Sequence, residues 1–255
     1  SDVVKTNSDG SSISLKYDER YLYFMVKKRG FSIDGDTLYI PIDTTQKSGS
    51  NYCENYALKF DRAADFLIVV NGKTGTRVLA QEYYELLRAK YSLQVYGFNT
   101  YLKPYIPDKE SPKFKNINTI LQLSGTSSGG ADGGVTQLAT VQETGLLHYG
   151  NGNPSSEQYD SLSDFMAGDG FVELRIPWQM LNFYDPSSMK IHDDYYQHYG
   201  VVGMTIKKMY VGVATANLSS RVQLGEKPLK GWDTKVSYHE RLKQSYYIVQ
   251  KAWTK

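Results

Sequence analysis

Cysteine is nearly absent from the 255-residue chain: Cys53 is the only one. That excludes an internal disulfide and a multi-cysteine metal site, and a lone thiol without an activating base is expected to be buried and inert. Low cysteine use suits the cytosol, and equally the surface proteins of bacteria that rely on large cores. Charge of either sign is also scarce in net terms, at +2, with lysines and arginines scattered among acids. No basic run marks nucleic acid as a partner. No apolar run reaches about 18 residues, so no membrane-spanning helix is expected. The N-terminus has no charged region followed by an apolar one, so no signal peptide is expected in this stretch. No Gly-x-Ser-x-Gly elbow, Ser-His-Asp signature or nucleotide fingerprint occurs. The glycine- and serine-rich segment from Ser124 to Gly134 lacks a Gly-Lys-Ser/Thr ending, so it reads as a flexible loop.

Tyrosine is what the chain has in excess, 22 residues, with aromatics at 13 %. Tyrosine suits strands, and its amphipathic ring also suits surfaces that bind sugars, peptides or other partners. A sandwich of this length commonly forms one domain, and one is expected over 1–255.

Along the chain the apolar pattern is mostly of period two. Residues 12 to 29 alternate on both sides of Asp18-Glu19-Arg20 and predict a hairpin. Thr37 to Asp43 predicts a third strand, with Pro41 pointing to a sheet edge or a bulge. Tyr56 to Asp61 and Ala64 to Asn71 add two more, and Asn71-Gly72 marks a reversal into Thr76 to Ala80. From Gln81 to Lys90 the spacing of Tyr84, Leu87 and Arg88 predicts one short helix. Three prolines between 103 and 119 predict a long surface connection, and Ile117 to Leu123 returns as a strand. Gly170 to Trp178 alternates Val172, Leu174 and Ile176 with Glu173 and Arg175, and Pro177 ends the ladder because it has no N–H to donate. Val201 to Val213 gives one or two further strands, and the apolar stretch from Ser245 to Trp253 closes the chain. Short strands separated by turn signals predict an all-β protein, an antiparallel, jelly-roll-like β-sandwich with one or two short helices and long loops near 103–119 and 124–134.

The early hairpin around Tyr17-Asp-Glu-Arg-Tyr-Leu-Tyr23, the strand Leu38-Tyr-Ile-Pro-Ile-Asp43 and the strand Val172-Glu-Leu-Arg-Ile-Pro-Trp178 resemble, in that order, the DOMON-like β-sandwiches that include family 9 carbohydrate-binding modules. The chain is also similar to C-terminal modules of bacterial cell-surface or glycosyltransferase-like proteins. The resemblance implies a fragment of a longer, exported bacterial protein at the cell surface. It implies a polysaccharide or oligosaccharide, or other domains of the same polypeptide, as partners, and no cofactor beyond a structural calcium ion. Asp18 and Asp43, acids at turns, are the candidate calcium ligands, although an acid in a turn more often caps backbone N–H groups.

The densest cluster of functional side chains is Ile191 to Tyr199. Its histidines, His192 and His198, together with Asp193 and Asp194 are ligand types for zinc or iron, but their spacing matches no helix-based motif. The sugar reading is the better one: Tyr195 and Tyr196 offer flat rings for pyranose faces, and His192, Asp193 and Asp194 offer polar contacts. Trp232, between turn residues, is the candidate exposed platform, Trp178 is read as structural, and Trp253 suits either role. The leading expectation is a noncatalytic carbohydrate-binding or surface-interaction module. One alternative is a structural module that docks a glycosyltransferase or hydrolase domain. The other is a polysaccharide hydrolase or lyase using Glu173, Asp193 and Asp194.

Overall fold

Alternation in the first hairpin gives two strands that each have one buried face, because Ile13, Leu15, Leu22, Phe24 and Val26 all point the same way. The computed structural model describes residues 2–85, 106–122, 125–127, 135–137, 140–192, 196, 203–215, 220–232 and 244–253. In chain order its strands are β1 (Val3–Thr6), β2 (Ser12–Tyr17), β3 (Tyr21–Lys27), β4 (Thr37–Asp43), β5 (Ser50–Cys53), β6 (Leu58–Ala64), β7 (Phe66–Asn71), β8 (Arg77–Gln81) and β9 (Phe114–Asn116). They continue with β10 (Asn118–Gln122), β11 (Gly125–Ser127), β12 (Val135–Gln137), β13 (Thr140–Glu143), β14 (Phe165–Gly168), β15 (Phe171–Pro177) and β16 (Phe183–Asp185). The last are β17 (Lys190–His192), β18 (Gly203–Thr205), β19 (Lys208–Val211), β20 (Ala214–Thr215) and β21 (Gly225–Pro228). The described residues include the single helical turn α1 (Gly72–Gly75), the helix α2 (Gln244–Trp253) and short 3-10 helices at Glu54–Tyr56, Trp178–Leu181 and Pro186–Ser188. The protein is all-β, as the period-two pattern predicts.

Two antiparallel sheets carry the architecture. The first has the order β1-β2-β3-β15-β14, and the second runs β21-β19-β4-β7-β8-β9 with β20 also on β4. Their inner faces share one core that draws Leu15, Phe24 and Leu174 from the first sheet and Ile40, Ile68 and Val211 from the second. Trp178 plugs the end of this core. It is fully buried, 4.7 Å from the Phe183 ring, and its indole N–H donates to the Asp18 carbonyl at 2.8 Å. The structural reading of Trp178 therefore holds. At one side the sheets nearly touch: a Cβ on Gly225 of β21 would lie 2.2 Å from the Val4 carbonyl of β1, so only glycine permits the approach.

The second sheet is covered on its other face as well. The β5–β6 hairpin and the segment from Val222 to Leu224 pack Cys53, Leu58, Phe60 and Val222 against Tyr39, Leu67, Val69 and Leu79. Strands buried on both faces need apolar residues at every position, and β4 and β7 read that way. Pro41 is not at an edge, as one sequence option had it. It lies in the middle of the sheet, opposite the break between β19 and β20, where Gly212 N donates to its carbonyl and no ladder donor is required of it.

Three local expectations are corrected. Gln81 to Glu85 is the end of β8 and a turn, not the start of a helix, because Gln81 N and Glu82 N are held by Asp65 and Lys113 carbonyls across the sheet. The rest of that expected helix, 86–90, lies outside the described residues. The 103–119 connection contains β9, anchored by buried Phe114, and the glycine-serine stretch contributes β11, which pairs with β12. The chain's closing apolar stretch is the helix α2, with Trp253 at 84 % exposure.

Asp65 fastens the turn after β4. Fully buried, its carboxylate accepts from Thr44 N, Thr44 Oγ1 and Thr45 N at 2.8–2.9 Å. Burial, and then the neighbouring Asp43, push its carboxyl well above the usual range. Burial also raises Asp43 to about 6, against the pull of the Arg62 guanidinium 2.8 Å away. A carboxyl whose folded pKa is raised binds more protons folded than unfolded, so its contribution favours the fold below the unfolded value and is lost as pH rises through the folded one. Asp65→Ala, which strands three buried donors, is expected to cost about 3 kcal/mol in denaturant titrations, whereas Asp65→Asn keeps an acceptor and costs far less. Thermal melts should also show Asp65→Asn losing less stability between pH 5 and pH 8 than the wild type. Cys53, fully buried and raised to about 11 by desolvation, is expected to react with a disulfide reagent only after unfolding.

Candidate functional site

Among the described residues the first sheet keeps an open outer face. Strand β3 turns Tyr21, Tyr23, Met25 and Lys27 outward, and β15 turns Phe171, Glu173 and Arg175 outward beside them. Register aligns these into rows across the sheet: Lys16, Tyr23 and Arg175, then Ser14, Met25, Glu173 and Met166, then Ser12, Lys27 and Phe171. A groove of about 630 Å³ lies over these rows, a size ordinary for a ligand site. Its floor mixes the Tyr23 ring, 38 % exposed, and the Met25 side chain with the charged ends of Lys16, Glu173 and Arg175.

One wall is the loop between β13 and β14, which brings Asn151, Asn153 and Asp164 to the groove. This loop is fastened down. Arg175 donates from Nη2 to the Ser161 carbonyl at 2.7 Å and from Nε to the Ser163 carbonyl, reaching across from β15. His148 Nε2 lies 2.7 Å from Asp160 Oδ2, and Leu162 N donates to Asp160 Oδ1 at 2.9 Å. The Leu162 amide, then the His148 contact, hold the Asp160 carboxyl below its usual range. The other wall begins at Asp2, paired with Lys16 at 3.1 Å. Tyr23 itself is oriented by its hydroxyl, which donates to Asp18 Oδ2 at 2.7 Å. Burial and the Asp18 carboxylate raise that phenol to about 12, so it stays neutral at physiological pH.

Of the sequence-selected residues that are described, His192, Tyr196 and Trp232 lie away from this groove. His192 is half-buried at the end of β17, its ring 5.1 Å from Tyr184. Tyr196 is half-buried, its ring 4.9 Å from that of Tyr83. Asp193, Asp194, Tyr195 and His198 lie outside the described residues. Trp232 is half-buried, packs against the main core 6.3 Å from Trp178, and gives its backbone N–H to the Ser187 carbonyl. Asp18 and Asp43 do not fit calcium as they stand. Asp18 already accepts from Arg20 N, Tyr21 N and Tyr23, so it is the turn cap, and a cation at Asp43 would face Arg62. Among the described residues no group of three or more His, Cys, Asp or Glu is placed to hold a metal ion. Of the earlier candidates that are described, Glu173 lines the groove.

Lys16, Tyr23, Met25 and Arg175 were missed as site residues although their strands were read correctly. The signal was there: they are the polar half of the alternation that defined those strands.

No family model, curated protein or solved structure matches the chain.

If Arg175 fixes the wall, Arg175→Ala should speed amide hydrogen exchange across 150–164 by about tenfold, while exchange in β4 and β7 stays unchanged.

Proposed function

We propose that the chain is a noncatalytic carbohydrate-binding module and that the outer face of its five-stranded sheet receives the sugar. The observation that supports this is the groove over Tyr23, Met25 and Glu173. A pyranose has apolar C–H faces and a rim of hydroxyls, and a partner for it needs a flat apolar surface ringed by donors and acceptors. Tyr23 and Met25 offer the first. Lys16, Arg175 and the Asn151 and Asn153 amides stand as donors, and Glu173 and Asp164 as acceptors. Cations and carboxylates alternate along the groove, which favours a hydroxyl-rich ligand over a strongly charged one and makes binding weakly dependent on salt.

The resemblance to DOMON-like and family 9 modules supports the same class of ligand, and it supports an exported, bacterial cell-surface setting within a larger protein. A polysaccharide or oligosaccharide is the partner in this reading.

A glycan array followed by calorimetry tests it. At least one neutral glycan is expected to bind, and Tyr23→Ala or Glu173→Gln is expected to weaken it by about tenfold, or about 1.4 kcal/mol, with the melting temperature little changed. An intact fold that binds no glycan at millimolar concentration defeats the proposal. Shortened chains in the mixture would replace binding with hydrolase or lyase activity.

A further inference from the structure

We infer that the groove takes an internal run of a glycan chain, several sugar rings long, instead of a chain end; this rests on the sugar reading above. The groove over Tyr23 does not close at Glu173. A second hollow of about 390 Å³ begins there, and the two share Met25, Lys27 and Glu173 as lining. They form one trough along β3 and β15.

The far end of the trough is built by two turns tied together. Lys28 N donates to the Gly170 carbonyl at 2.8 Å, and Gly170 N to the Phe31 carbonyl at 3.3 Å, so the ladder between β3 and β15 continues past the strand ends. Gly10 and Gly170 line this end beside Asp169 and Lys28, whose ammonium is paired to Asp9 Oδ2 at 3.3 Å, and no atom of the described residues lies within 4 Å of where a Gly10 Cβ would project. Lys27 and Arg29, both exposed, stand there as donors. From Tyr23 to Lys27 the strand advances about 13 Å at about 3.3 Å per residue, and the turn from Lys28 to Phe31 follows it. That length exceeds a single sugar ring, so more than one ring is seated along it. A binder of chain ends would need a wall across the trough, and two glycines occupy the place where the wall would stand.

The length of the trough makes affinity depend on the length of the ligand. Ladders of cello-, xylo- and manno-oligosaccharides from two to six units, titrated by calorimetry, are expected to show affinity rising about tenfold or more with length from two units upward. The double variant Lys28→Ala, Arg29→Ala, at residues that line only the second hollow, should weaken the hexamer by about tenfold and leave the disaccharide unchanged. Amide shift mapping with the hexamer should move Gly170 and Arg29 as well as Tyr23, and with the disaccharide only one end. A ladder that binds with the same affinity from two units upward, or a double variant that weakens both lengths alike, overturns the inference and leaves the sugar reading standing. Silence of every ladder and of the wider array overturns both.

Discussion

Strands β4 and β7 have no face left for solvent, because the five-stranded sheet packs on one side and the β5–β6 hairpin on the other. The rest of the structure depends on this double covering. It requires the apolar runs Leu38 to Ile42 and Phe66 to Val70, it buries Cys53 beyond the reach of reagents, and it carries Asp65 into the interior with the turn it fastens. Apolar burial contributes about 25 cal/mol per Å², so a sheet covered on both faces is stabilised from two sides. It also sets where function can be. A sheet closed on both faces offers no surface to a ligand, and among the described residues the sheet that is covered once keeps an outer face open.

On that outer face the chemistry is set by the same period of two that builds the core. Each strand that buries Leu22, Phe24 and Val26 must present Tyr23, Met25 and Lys27 on the opposite side. The register then brings Arg175 beside Tyr23 and Glu173 beside Met25. Arg175 has a second task, since its guanidinium also holds the loop that walls the groove. One residue therefore links the shape of the site to the strand that positions it.

Much of the fold was legible in the sequence, for a physical reason: half-buried strands such as β2, β3 and β15 alternate cleanly, and turns such as Asp18 to Arg20 carry the residues that cap them. Strands β4 and β7 were legible as apolar runs, but their place in the centre of a sheet was not, since Pro41 suggests an edge until the break in its neighbour is seen. Tyr84, Leu87 and Arg88 suggested a helix, while the backbone of Gln81 and Glu82 was already committed to the sheet by partners far along the chain. The site was less legible. Residues that cluster in sequence, such as His192 and its neighbours, draw attention, whereas Lys16, Tyr23, Asn151 and Arg175 are scattered over 160 positions and meet only through register and a loop contact. Trp232 looked exposed by its turn residues, yet it packs against the core beside Trp178.

The asymmetry between the two sheets is the central claim, and methionine oxidation reads it without a ligand. Met25 and Met166 lie on the groove floor, whereas Met189 and Met209 are buried in the shared core. Brief treatment with hydrogen peroxide and peptide mass spectrometry should find the first pair oxidising about tenfold faster or more than the second, as solvent access governs the rate. Equal, slow oxidation of all four would mean that the outer face is covered, and the account of where this protein binds would be contradicted.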